Sequence, residues 1–167
     1  VHACRAALEV QKEIARVRQE FREQGYPDVY TRIGLNSAVL FVGNFGSQQL
    51  YSYTAMGDGM NLASRLEGAN KFYDSSIMIG PRTYELARGE IEVRELDRIR
   101  VAGKQEAVAV YELLAMAGQL PAQKRQAVEK YGEGLKVYRE GRFNEAIQFF
   151  EAALAIEPDD GPSKKMA

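Results

Sequence analysis

Apolar residues recur at Ala3, Ala7, Val10, Ile14, Val17 and Phe21, in alternating steps of four and three that place them on one face of a helix. Gly25 and Pro27 end that helix. Such a stripe can serve a coiled coil, but a strand follows at once and the flanking positions are small, which favours a helix laid on a sheet. Residues 32–42 first alternate and then run apolar from Ala38 to Val42, as a strand covered on both faces does. Gly43-Asn44-Phe45-Gly46-Ser47 reads as a turn, and residues 51–56 as the second arm of a hairpin. A helix over about 59–73 comes next, capped by Asp58, with Leu62, Leu66, Ala69 and Tyr73 as its core face. Residues 76–79 predict a short buried strand. Pro81 opens a short helix to 87, and strands near 92–101 and 108–114 flank the turn Ala102-Gly103-Lys104-Gln105. The order helix, hairpin, helix, strand, helix, hairpin predicts an α+β domain, with helices packed on one largely antiparallel sheet.

Leu120-Pro121 marks a boundary beyond which only helical patterning continues. Residues 127–160 resemble a tetratricopeptide repeat. Gly134 allows close helix approach, Gly141 sits in the turn, Phe143, Ala146, Phe150 and Ala153 fill the seam, and Pro158 stops the second helix. Lys130 and Glu133 depart from that pattern, standing where a large aromatic and a leucine are usual. One such pair cannot bury both its faces, so either further repeats follow or it caps the preceding domain. The chain therefore divides into a domain over 1–116, a linker over 117–126, a helix pair over 127–160 and a tail over 161–167.

Composition narrows the function. The 167 residues are 46% hydrophobic and 27% charged, as in an ordinary globular protein, and the net charge of −1 gives no reason to expect a nucleic-acid partner. Residues 121–167 carry eight Lys/Arg and eight Asp/Glu, so neither part is polarised. Cys4 is the one cysteine, which excludes an intrachain disulfide and a cysteine zinc cluster and suits a reducing, cytoplasmic setting. It reads as a packed thiol, His2 as a solvated terminal residue, and Tyr51, Tyr53, Phe149 and Phe150 as core. No apolar run reaches the length of a membrane span, and no signal-peptide pattern opens the chain. Val1 is not an initiator and a helical pattern is already running by Ala3, so the chain reads as an internal fragment of a larger protein, one that an upstream region could tether to a membrane.

The stretch Thr54-Ala55-Met56-Gly57-Asp58-Gly59-Met60-Asn61-Leu62-Ala63-Ser64-Arg65-Leu66-Glu67 is the most informative. It reads as a strand end, a glycine turn and a helix that projects Asn61 and Arg65 from one face, roughly 6 Å apart along the axis. In unbroken register these residues resemble the second half of the active site of class III nucleotide cyclases. The resemblance covers about residues 1–115 and implies a ferredoxin-like cyclase fold. It implies an adenylate cyclase that converts ATP to 3′,5′-cyclic AMP and pyrophosphate in intracellular signalling. Asn61 and Arg65 would then orient the ribose and stabilise the phosphate in the transition state. Thr54 would contact the purine, threonine being frequent there in a bacterial-type subgroup that uses ATP. Lys104 would reach the triphosphate from its turn, although Ala102 replaces a lysine often found two residues earlier.

The resemblance also implies Mg2+ or Mn2+ and a homodimer whose sites are shared between subunits. The family's two metal-binding aspartates and its purine-reading lysine belong to strands that would precede Ala3. Asp28, Asp58, Asp74, Asp97, Asp159 and Asp160 do not stand in those contexts, so no metal ligand is named in this chain. Alone, the fragment is expected to be inactive. Two other readings stay open: a non-catalytic cyclase homologue that dimerises and presents its tetratricopeptide-like helices to a protein partner, and a guanylate cyclase.

Overall fold

The computed structural model describes residues 1–47, 49–100 and 107–167, apart from the side chain of Arg100. Lys104 and its turn lie outside the described residues. The elements are α1 (His2–Glu23), β1 (Ile33–Leu35), β2 (Phe41–Ser47), β3 (Leu50–Met56), α2 (Asp58–Tyr73), β4 (Ile77–Ile79), α3 (Pro81–Ala87), β5 (Ile91–Arg100), β6 (Ala107–Met116), α4 (Ala122–Arg139), α5 (Phe143–Ile156) and α6 (Gly161–Met166). This is the expected α+β architecture. Its main sheet is mixed, with order β1-β4-β6-β5; β1 and β4 run parallel and the other neighbours antiparallel.

Alternation along the strands splits the core in two. Ile77, Ile79 and Leu113 face Cys4 and Ala7 of α1 and Ala87 of α3. Met78, Leu96 and Val110 face the other way, onto Leu62, Leu66 and Tyr73 of α2 and Tyr131, Leu135 and Phe150 of the last helices. The inward face of α1 is rotated from the expected stripe. Cys4 and Ala7 are buried while Ala3 and Val10 are exposed, because Gln11 turns inward and donates to the Thr31 carbonyl at 2.8 Å.

The strand expected over 32–42 is two strands. At Asn36 the chain leaves the sheet: the side-chain amide donates to the Gly59 carbonyl at 3.0 Å, and the Ser37 hydroxyl meets that of Thr83 at 3.0 Å. The apolar run beyond is uncovered, with Val39 100% and Phe41 79% exposed. The turn expected at 43–47 is strand, since β2 pairs with β3 from Phe41 opposite Met56 to Ser47 opposite Leu50. Gly46 permits this: at φ +139° a side chain there would collide with the Leu50 carbonyl. Tyr51 and Tyr53 lie on this ribbon and are exposed, Tyr53 by 76%, so neither is core.

The seam between α4 and α5 holds Ala146, Phe150 and Ala153, and Gly134 is needed where a methyl group would stand 2.8 Å from the Phe150 ring. Phe143 is not in the seam. It is the first residue of α5, 56% exposed, with its ring against Tyr138. Lys130 and Glu133 pair with each other at 2.6 Å on the surface. The final residues add α6, whose N-cap Asp160 accepts from the Ser163 amide at 3.1 Å, where the sequence showed only a tail. None of the described helices is long and apolar enough to cross a membrane.

Candidate active site

Helix α2 positions the site. Its backbone lies directly on β1: a side chain at Gly34 would collide with the Ala63 carbonyl and stand 2.5 Å from the Glu67 amide nitrogen. Asn70, fully buried, donates to the Ile33 and Leu66 carbonyls at 3.0 Å each and accepts from the Ser75 hydroxyl at 2.7 Å. At its far end Tyr73 donates to Asp97 at 2.8 Å. Burial and the Asp97 carboxylate both raise the Tyr73 phenol, so it stays a donor at ordinary pH.

The helix starts one residue earlier than expected. Gly57 is the cap residue, at φ +143°, and Asp58 is the first helical position with no side-chain cap hydrogen bond. The reason is conformational, since only glycine takes that backbone angle readily. Asp58 instead puts a carboxylate in the first turn, which the helix dipole favours.

The start of α2 opens on a cleft of about 600 Å³. Asn61 and Arg65 both line it, one turn apart as their spacing requires. Asn36, Ser37 and Val39 also line it, with Arg82 at the start of α3. The cleft thus combines two guanidinium groups, one carboxylate, two side-chain amides and the amino end of a helix, a set suited to a phosphate-bearing polar ligand. Gly59, also on the lining, is required because a side chain there would collide with Ala38.

Thr54 is not brought to this cleft. It lies exposed on β3 opposite Gly43, two residues from Met56 and so about 7 Å further out along the ribbon. Asn36, Ser37 and Arg82 were not singled out from sequence. Asn36 had a signal, as a polar residue inside an otherwise apolar strand pattern; Arg82, paired with Glu85 at 2.9 Å, reads as a surface residue. Among the described residues no three His, Cys, Asp or Glu side chains converge on a common point, and Asp58 is the only carboxylate on the cleft. These residues do not by themselves fit a divalent metal site, and no step is derived through one.

The sequence and fold match a known family. Residues 1–115 match the adenylate and guanylate cyclase catalytic domain, and the chain belongs to that family. It is 34% identical over 115 residues to Adenylate cyclase 1 of Rhizobium meliloti (strain 1021), covering 69% of this chain and 17% of that protein. Among solved structures it is similar to the adenylyl cyclase CyaB from P. aeruginosa, with TM-score 0.58, 32% identity, and 70% of this chain and 60% of that chain covered. It is also similar to the guanylyl cyclase Cya2, with TM-score 0.57, 25% identity, and 66% and 55% covered. The chain thus spans less than two thirds of each of these relatives.

Proposed function

We propose that this chain is part of an adenylate cyclase that converts ATP to 3′,5′-cyclic AMP and pyrophosphate. The observation that carries the reading is the meeting of Asn61 and Arg65 in one cleft at the start of α2. The reaction is attack of the ribose 3′-oxygen on the α-phosphate, with pyrophosphate leaving in line, so the nucleotide must be held bent. Arg65 spreads two N–H donors over the phosphate oxygens as charge gathers there, and Asn61 holds the ribose. Thr54 reads the adenine amino group as an acceptor and Lys104 meets the triphosphate as a point charge. Mg2+ or Mn2+, the ions the reading implies, would supply charge to neutralise the triphosphate and would need ligands other than the cleft residues described above.

Because Thr54 lies away from the cleft in a single copy, a shared site in a homodimer suits this reading. The exposed apolar side chains of the ribbon and the segment before it, Val39, Phe41, Val42, Leu50 and Tyr53, support it. The helix pair α4–α5, with its seam glycine and its turn at Gly141, supports the tetratricopeptide-like reading and a protein partner on its outer face. The setting is cytoplasmic.

The test is turnover of ATP against GTP by the complete protein with Mg2+ or Mn2+. Preferential formation of cyclic AMP is expected. Equal or greater use of GTP would move the assignment to guanylate cyclase, and no turnover of either would leave a non-catalytic dimerisation module.

A further inference from the structure

The last helices share their core with the helix that carries Asn61 and Arg65. Leu62, Leu66 and Tyr73 on the inner side of α2 pack in one cluster with Tyr131, Leu135, Ala146 and Phe150. A buried ion network fastens this arrangement. Arg94 of β5 reaches Asp160 at 2.6 Å and Glu112 of β6 at 2.9 Å, and Lys124 of α4 adds a second cation to Asp160 at 2.7 Å. Arg94 also lies over the Tyr131 ring at 4.8 Å, and the Tyr131 hydroxyl donates to the Leu96 carbonyl at 3.0 Å.

Asp160 is therefore a fixed point on the sheet, and α6 begins at the next residue. Gly161 abuts the end of α2 so closely that a methyl group there would stand 2.5 Å from the Asp74 carbonyl oxygen and 2.7 Å from its Cβ. Asp74, the C-cap of α2, is itself held in the left-handed conformation at φ +51°. Further along α6, the Lys165 ammonium sits 4.4 Å above the Phe72 ring. The carboxyl end of α2 is thus stopped by a helix start that the buried network holds in place, while the amino end carries the cleft.

We propose that Asp160 and Gly161 are positioning residues for the nucleotide site, setting α2 along its axis and thereby placing Asn61 and Arg65. This rests on the cyclase reading above. On this view the C-terminal helices are a working part of the catalytic unit, and whatever displaces α6 changes turnover.

The test uses Gly161→Ala and, as a variant that leaves packing intact, Lys165→Ala, both in the complete protein. Two quantities are read: kcat and KM for ATP, and hydrogen exchange of the amides in the second half of α2 without nucleotide. For Gly161→Ala, exchange in α2 speeds up and kcat falls on the order of tenfold with KM little changed, because a small displacement of a transition-state group costs rate more than binding. Lys165→Ala changes both in the same direction by less. Unchanged exchange in α2, or faster exchange with unaltered kcat, overturns the proposal. Wild-type protein that turns over neither ATP nor GTP overturns the cyclase reading instead, and the exchange difference still reports whether Gly161 seats α2.

Discussion

Two arginines of this chain have opposite uses. Arg65 is exposed at a cleft, on the same helix face as Asn61, and its planar fork suits a phosphate-bearing ligand. Arg94 is buried between Glu112 and Asp160, where its charge is consumed by the fold. If Arg65 acts as proposed, removing this exposed side chain costs more chemistry than stability. Arg65→Ala in the complete enzyme should lower turnover by about two to three orders of magnitude, as loss of a transition-state donor does. Its thermal unfolding midpoint should match the parent protein; unchanged turnover would remove Arg65 from the site. Asn61 and Arg65 were legible in the sequence because helix spacing sets them on one face and the residues around them stand in the register of class III nucleotide cyclases. Arg94 and Asp160 stand 66 positions apart, and no local pattern couples them.

At the scale of elements, the seat of α2 on β1 carries the site. No side chain intervenes at Gly34, so the strand backbone touches the helix backbone near Ala63 and Glu67. A methyl group there has only backbone to push against. Gly34→Ala should destabilise the fold by about 1–3 kcal/mol or more, as overpacking does, and should weaken nucleotide binding as α2 lifts away. Denaturant unfolding and ATP titration check both effects, and a stable variant with unchanged affinity would show that the helix is seated elsewhere. The helices up to α5 were legible in the sequence from their periodicity, glycines and prolines, whereas the cap at Gly57 and the last short helix were not. The ribbon β2–β3 was not, because glycines that keep a strand running and glycines that turn it look alike until the partner strand is known. Gly46 belongs to the first kind only because Tyr51 lies opposite and the Leu50 carbonyl crowds it.

At the scale of the whole molecule, the network at Asp160 ties α4 and α6 to the sheet and makes their docking sensitive to acid. Burial raises the Asp160 carboxyl, but the hydrogen bond and charge of Arg94, with Lys124 and Ser163, outweigh it and hold the group below the usual carboxylate range. A depressed pKa in the folded state contributes stability above the unfolded value of about 3.9 and loses it as pH falls through the folded value. Unfolding free energy should therefore drop on acidification below about pH 4. Asp160→Asn should be less stable at neutral pH, by roughly 3 kcal/mol for a broken buried pair, and should show a flatter acid limb. A limb of equal steepness in that variant would place the acid sensitivity at other carboxylates. The sequence by itself determined what is local: the helical segments up to residue 156, that Asn61 and Arg65 share a face, and the resemblance to a nucleotide cyclase domain. Tertiary structure decided which apolar residues are covered, that Asn36 and Arg82 join the cleft, and that the last helices rest against the end of α2. Those facts depend on pairs of surfaces distant along the chain, and a hydrophobic pattern shows that a face wants a partner without showing which partner it meets.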